Sequence, residues 1–295
     1  ARHLKLLFIG RVYQMIVQMT VSRNDLFLIK ELLPIWKNYA DGFVFVDDRS
    51  TDGTYDYLMD NKEKYNILDV IRIDEGVDGD DLWMESNLRQ PLFDKALEYS
   101  GNIICLDTDE YLDGLITKEQ LESLLEQNRD VLINLPWIQY IDKNKIRVDG
   151  PWNVGVNYKD RLGSYAKRAL YREAQTHGEH LPNPGSTGRL DVPVLFVSHL
   201  QWMDKRTVAI KQYFYKILDY VHNLKHNVDI VPSSAYDESV RNFEWDYAEF
   251  DFPLKVRSDL FDENVVNDEN RMSFIKDSIK KYNIPNLNDW DMGIH

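Results

Sequence analysis

The chain holds a single cysteine among 295 residues. A lone thiol cannot close an internal disulfide, so a disulfide framework is excluded and a reducing compartment is compatible. Cys105 falls inside the apolar run Ile103, Ile104, Cys105, Leu106, where a small buried thiol is a better reading than a nucleophile. Long hydrophobic runs are missing too. Leu4 to Ile9 and Val194 to Val197 fall far short of the ~20 residues of a membrane-spanning helix. No secretory leader is expected ahead of the first strand, so the expected location is the cytoplasm, with the start at Ala1 leaving room for a longer parent chain. Basic charge is scarce: 35 Lys and Arg against 49 Asp and Glu leave a net charge of −14. That balance argues against the nucleic-acid backbone as the main partner. Neither G-x-x-x-x-G-K-[ST] nor G-x-G-x-x-G occurs, which removes two usual ways of cradling a phosphate. An anionic ligand then needs a mediator, and a divalent cation held by carboxylates is one. Much of the acidity, as in Asp259 to Glu269, reads as solvated surface.

With 43% hydrophobic content the chain can bury a substantial core, and its length suggests one large domain, or one domain with an appendage. Apolar runs predict strands at Met15 to Val21, Gly42 to Val46, Leu68 to Ile73, Asn102 to Leu106 and Val131 to Leu135. Helical periodicity falls between them, at about Asp25 to Tyr39, Thr54 to Asn61, Glu85 to Glu98 and Thr117 to Gln127. Pro34 is expected to kink or split the first of these, and Thr117 with Gln120 reads as a capping box opening the last. Such alternation calls for an α/β fold, a mostly parallel sheet with helices on both faces, whose ligands bind beyond the carboxyl ends of the strands. The second half reads as a hairpin around Asp142 to Lys145, a polar loop from Asp149 to Ser164 and a strand from Tyr165 to Tyr171. A Gly/Pro-rich loop from Thr176 to Arg189 follows, a length that suits a lid or binding loop. A strand at Val194 to Leu200 and helices at Lys205 to Leu224 and Asn270 to Tyr282 complete the pattern. The expected organisation is one domain over 1–224 with a mainly helical extension, 225–295, packed on it.

Two carboxylates stand at a strand end in Asp107, Thr108, Asp109, followed by Glu110. On an extended segment, side chains at i and i+2 point to one side, so Asp107 and Asp109 are expected to converge on a hard cation that also takes phosphate oxygens. Asp47, Asp48 and Asp107 all follow the ends of expected strands.

The run Thr20 to Asn24, T-V-S-R-N, then Val44 to Thr54, V-F-V-D-D-R-S-T-D-G-T, then Leu106 to Glu110, L-D-T-D-E, resembles the family 2 glycosyltransferases of the GT-A fold. The likeness continues through Lys167 to Arg172, His177 to Leu181, Ser198 to Leu200 and Lys211, and covers roughly residues 12 to 215. It implies a Rossmann-like GT-A sandwich and transfer of a sugar from a nucleotide-diphosphate donor, UDP-linked by preference, to a hydroxyl of a glycan, protein or lipid-linked acceptor. In that reading Thr20, Ser22, Asp47 and Asp48 hold the uridine, and a carboxylate suits the uracil N3–H. Asp107 faces ribose or metal, Asp109 the metal, and Glu110 lies near the acceptor. His199 completes the metal shell, a mixed carboxylate and imidazole set that favours Mn²⁺, with Mg²⁺ as the alternative. Arg89 contacts the diphosphate or is an exposed helix charge. Asp52 reads better as a helix cap than as a ligand contact.

The resemblance further implies a base that takes the acceptor proton in one in-line displacement with inversion. Glu179 is the first candidate and Asp191 the second, because Gly178 separates His177 from Glu179 where the family pattern places His directly before Glu. Two other functions remain open. A nucleotidyltransferase has a related sheet but normally a Gly-rich basic loop after its first strand, and Thr20 to Asp25 has no glycine. A noncatalytic sugar-binding protein could use Trp137, Trp152, Trp202 or Trp245 for stacking.

Overall fold

The computed structural model describes residues 7–8, 11–12, 14–73, 85–150, 153, 157–172, 179–185, 188–225, 236, 244–257, 259–263 and 269–284. Strands and helices follow in the order β1 (Leu7–Phe8), β2 (Arg11–Val12), β3 (Ile16–Ser22), α1 (Leu26–Trp36), β4 (Gly42–Asp48), α2 (Thr54–Asp60), α3 (Lys62–Tyr65), β5 (Ile67–Ile73), α4 (Glu85–Tyr99), β6 (Asn102–Cys105), β7 (Glu110–Gly114) and α5 (Lys118–Gln127). There follow β8 (Leu132–Asp142), β9 (Lys145–Arg147), β10 (Tyr158–Ser164), β11 (Arg189–Asp191), β12 (Leu195–His199), α6 (Lys205–Lys225), β13 (Tyr247–Glu249), α7 (Leu260–Glu263) and α8 (Glu269–Tyr282). The chain forms two compact units, one of Ala1–Ile138 with Gly150–His199 and one of Gln139–Asp149 with Leu200–His295. The expected boundary at 224 and 225 falls at the end of α6, inside the second unit.

In the first unit the sheet order is β8-β10-β6-β3-β4-β5. β6, β3, β4 and β5 run parallel, whereas β10 pairs antiparallel with both β6 and β8. The fold is therefore α/β with a parallel centre. β4 shows why. All seven of its residues are buried, as a strand covered on both faces requires. Phe43 and Phe45 lie against Trp36 of α1, with ring centroids 6.3 Å apart in both pairs. Val44 and Val46, on the opposite face by the two-residue period, join Leu92, Phe93 and Ala96 of α4 in one apolar cluster. Phe93 adds an edge-to-face contact with Tyr165 at 4.8 Å, worth about 1 kcal/mol beyond its buried area.

Several local expectations meet a definite outcome. Thr117 and Gln120 form the reciprocal capping box. Pro34 neither splits nor breaks α1, because it sits two residues from the helix end, where only the final turn loses a backbone donor. Asp52 is a cap twice over. Its Oδ1 accepts from Thr54 N at 3.0 Å at the start of α2, and its Oδ2 accepts from Leu26 N at 2.9 Å at the start of α1. Gly53 between them has φ +90°, a conformation open to glycine without strain.

The expected loop from Asp149 to Ser164 contains β10, and the expected strand from Tyr165 to Tyr171 is irregular chain. Tyr165 and Tyr171 are anchors instead, their hydroxyls donating to the carbonyls of Pro182 and His180 at 2.7 Å each. Trp152, His177 and Gly178 lie outside the described residues. The second unit pairs β9 with β13 and with the last residues of β8, and packs α6 against α8. Its buried Arg147 stands over the rings of Trp202 and Trp245 at 4.5 and 5.3 Å and binds Asp149.

Candidate active site

Because β3, β4 and β6 are parallel and adjacent, the residues that leave their carboxyl ends gather along one edge. Ser22 sits opposite Asp47 in register, and Leu106 N donates to Met19 O just before Asp107. Two non-glycine residues in this rim, Asn24 and Arg49, have positive φ of 55° and 58°. Asn24 tolerates that conformation and uses its Oδ1 to accept from Thr51 N at 2.7 Å. Arg49 has no such excuse, and its strain marks the turn after β4 as a place where geometry outranks comfort.

The residues expected to hold a nucleoside are all buried here. Thr20 accepts from Gln18 Nε2 at 3.2 Å, and Ser22 donates to Val46 O at 3.1 Å, so both hydroxyls are engaged within the sheet. Asp48 is paired with Arg23 at 3.1 Å and Arg49 at 2.6 Å. Asp47 differs. It is wholly buried, its Oδ2 accepts only weakly from Ser50 N at 3.4 Å, and its Oδ1 has no hydrogen-bond partner among the described residues. Burial pushes its carboxyl above the ordinary aspartate value, the Ser50 hydrogen bonds only partly offsetting this.

The D-T-D segment is not extended. Glu110 N donates back to Asp107 O at 3.1 Å, closing a turn, so the alternation expected of Asp107 and Asp109 does not apply. The turn is held from three sides. Thr108 donates to Asp25 Oδ2 at 2.7 Å, Asp107 N donates to Glu110 Oε2 at 3.0 Å, and Trp137 Nε1 donates to Glu110 Oε1 at 2.7 Å. Arg161 Nη2 donates to that same Oε1. Glu110 is wholly buried and burial raises its carboxyl, so it is a bracket for the turn.

The two aspartates of the turn have different company. Asp107, its side chain 34% exposed, receives Arg89 Nη2 at 3.0 Å on one oxygen, with His180 Nε2 at 3.5 Å and Arg161 Nη2 at 3.9 Å from the other. Burial would raise its carboxyl, but the two guanidinium groups override that and hold it below the ordinary range. Arg89 is buried and also donates to Cys105 Sγ at 3.2 Å, which disposes of an exposed helix charge. Cys105 is buried, and burial pushes its thiol up to about 12, so it is no nucleophile. Asp109 faces His199, with 3.5 Å between Oδ2 and Nε2, and both are nearly inaccessible. His199 ends β12 directly opposite Glu110 of β7, and its ring stacks on Trp137 at 4.5 Å and 23°.

The two candidate bases lie apart in kind. Glu179 has Arg172 3.9 Å away and one buried oxygen, Oε2, without a hydrogen-bond partner among the described residues. Asp191 is exposed at the end of β11 and accepts from Asn134 Nδ2 at 2.9 Å. Residues that the sequence did not single out as part of this site are Asp25, Thr108, Lys159, Arg161 and His180. Only a cross-strand register would have found Arg161, because it lies within β10 rather than after a strand.

No protein-family model matches the chain, and no curated protein matches it. Among solved structures, the mannosyltransferase PcManGT from Pyrobaculum calidifontis, in complex with GDP-Man and Mn²⁺, aligns at 11% identity over 93% of this chain and 76% of that one, with a TM-score of 0.40. A likeness of that degree carries no argument about this site.

Whether a divalent cation suits these residues is decided by their own donors. Asp109 Oδ2 and His199 Nε2 are a carboxylate oxygen and an imidazole nitrogen 3.5 Å apart, near the spacing of two neighbouring ligands on one ion with bonds of about 2.1 Å. Asp107 spends its charge on Arg89 instead. Among the described residues no group of three or more His, Cys, Asp or Glu is gathered as a metal site, so the protein offers a pair.

Proposed function

We propose that the chain is a glycosyltransferase that moves a sugar from a nucleotide-diphosphate donor, UDP-linked by preference, to a hydroxyl acceptor with inversion. The observation that carries this reading is the meeting of Asp109 and His199 beside the Asp107 turn, at the carboxyl edge of a parallel sheet. A pair of mixed donors suits Mn²⁺, or Mg²⁺, when the diphosphate and water supply the remaining positions, and the bound ion would supply charge neutralisation of the leaving group. The motif resemblance to family 2 glycosyltransferases points the same way.

The chain's own residues then divide the work. Asp47 has an unpartnered buried oxygen, the kind of acceptor that a nucleobase N–H satisfies, and Ser22 and Thr20 shape the floor beside it. Asp48 keeps Arg23 and Arg49 in place around that floor. Asp107 is assigned to the ribose side and Arg89 to the diphosphate. Glu179 takes the proton of the acceptor hydroxyl as that oxygen attacks from the face opposite the leaving group. It is preferred over Asp191 because its neighbour His180 reaches Asp107, whereas the Asp191 carboxylate is exposed and engaged by Asn134.

The test is incubation with a panel of nucleotide sugars and Mn²⁺, scoring the released product. Release of a nucleoside diphosphate that depends on the metal supports the reading. Release of pyrophosphate would make the chain a nucleotidyltransferase, and binding of sugars with no release would leave a binding protein.

A further inference from the structure

We propose that Lys159 and Arg161 of β10, together with Arg89 and His180, form an anion site that binds a diphosphate without a metal ion. That the diphosphate belongs to a nucleotide rests on the function proposed above; the site itself rests on geometry.

Arg161 is the residue at which the β10–β8 pairing slips. Asp160 pairs with Asn134 and Leu162 with Ile133, so Arg161 is the extra residue of a bulge. Bulges re-aim side chains, and they recur beside functional sites. Here the re-aimed guanidinium is wholly buried, with Nη2 shared between Glu110 and Asp107. Its Nε and Nη1 have no hydrogen-bond partner among the described residues. Buried guanidinium N–H groups without acceptors are rare, and an oxyanion with several oxygens satisfies them in the forked geometry that guanidinium prefers. Lys159, two residues earlier, brings its ammonium to 4.9 Å from the Trp137 ring centroid, and no carboxylate among the described residues lies within ion-pair distance of it. Burial, and next to it the charge of Arg161, lowers the lysine's proton affinity, and the charges of Glu110, Asp160 and Asp107 offset this only in part.

Around Asp107, then, stand Arg89, Arg161 and His180, with Lys159 next along the same strand. Arg89, Arg161 and Lys159 are cations gathered within a chain of net charge −14, with Asp107 and Glu110 as the carboxylates already among them. A monocarboxylate is already present as Asp107, and among the described residues Lys159 has no carboxylate in ion-pair distance. A diphosphate has the additional charge and the additional oxygens to engage both Lys159 and the free edge of Arg161.

The experiment is calorimetric titration of the full chain with inorganic pyrophosphate and with UDP, in excess EDTA at low salt. Wild type is expected to bind both. Lys159→Ala should weaken pyrophosphate binding by about 10-fold or more while the circular dichroism spectrum is unchanged, and Lys159→Arg should restore most of it. Arg161→Met risks the fold, because it leaves Glu110 unpaired, so the lysine variants decide. No pyrophosphate binding in EDTA, or equal affinity in Lys159→Ala, overturns the proposal. So does acetate competing as well as pyrophosphate. Pyrophosphate binding through Lys159 in a protein that turns over no nucleotide sugar leaves this site standing and removes the transferase reading; the reverse result removes only the site.

Discussion

The parallel strands β3, β4 and β6 and the antiparallel strands β7, β8, β10 and β12 supply the same cluster by different routes. From the parallel set come Asp47 and Asp48, the last two residues of β4, and the Asp107 turn after β6, each placed by where a strand stops. From the antiparallel set come side chains inside or at the ends of strands, Trp137, Arg161, Glu110 and His199, each placed by which residue lies opposite. In the proposed reading the aspartates at the parallel ends, with His199 beside Asp109, meet the ligand, while Trp137 and Arg161 bind Glu110, which holds the Asp107 turn still. Substitutions on the first side should therefore disturb chemistry, and those on the second should disturb stability as well.

The largest break concerns neither set but the chain between β10 and β11. Glu179→Gln keeps size and hydrogen bonding and removes the accepting charge, so transfer should fall by roughly 100- to 10,000-fold with donor affinity nearly unchanged. Measuring nucleotide binding and acceptor glycosylation in parallel for Glu179→Gln and Asp191→Asn checks this; loss of transfer only in the Asp191 variant moves the base there. Next comes Glu110→Gln, which strips the countercharge from buried Arg161. We expect a loss of about 3–5 kcal/mol in urea unfolding. An unchanged midpoint would mean that the antiparallel side is not the brace described above.

Asp109→Asn should leave the fold intact and lower turnover by on the order of 100-fold, since the leaving group loses its charge stabilisation. Turnover near wild type at modest Mn²⁺ would refute the assignment. His199→Ala should behave more mildly and recover as Mn²⁺ is raised; a defect blind to added metal would make the histidine structural.

The smallest effect is a gain. Burial raises the Asp47 carboxyl, so its ionised form is disfavoured in the folded protein, and the stability present below its unfolded value near 3.8 is lost as pH rises through the folded value. Asp47→Asn removes that loss. At neutral pH the variant should be more stable, with a higher midpoint in urea unfolding, the difference shrinking toward zero below the unfolded value, at the expense of nucleotide affinity. A variant less stable than wild type at neutral pH would contradict the raised value.

The same contrast explains what could be read from the sequence. Parallel strands buried on both faces announce themselves as apolar runs, and their trailing Asp47, Asp48 and Asp107 stand in view. The caps at Asp52 and Thr117 were legible because a cap is a short-range affair of a side chain and a nearby donor. β10 was not. Its residues Tyr158 to Ser164 carry only Tyr158 and Leu162 as large apolar groups, and it is buried through pairing, Arg161 with Glu110 and Ser164 with Asn102. Conversely Tyr165 to Tyr171 looks like a strand because it needs two aromatics at its ends, yet each serves as a tether for the 180–182 segment. The D-T-D segment departs from an extended strand end for a related reason: Thr108 and Glu110 bond across to Asp25 and back to Asp107, and those partners outcompete extension.

The stack of Trp137 on His199 gives the molecule a voice of its own. An indole 4.5 Å from an imidazole is within reach of any open-shell ion that the imidazole binds, and such an ion quenches the excited ring. With Trp137 kept and the other six tryptophans replaced by phenylalanine, the emission that remains would dim as Mn²⁺ arrives and stay bright with closed-shell Mg²⁺. The protein thus carries its own lamp beside the site, one that needs neither donor nor acceptor to be read.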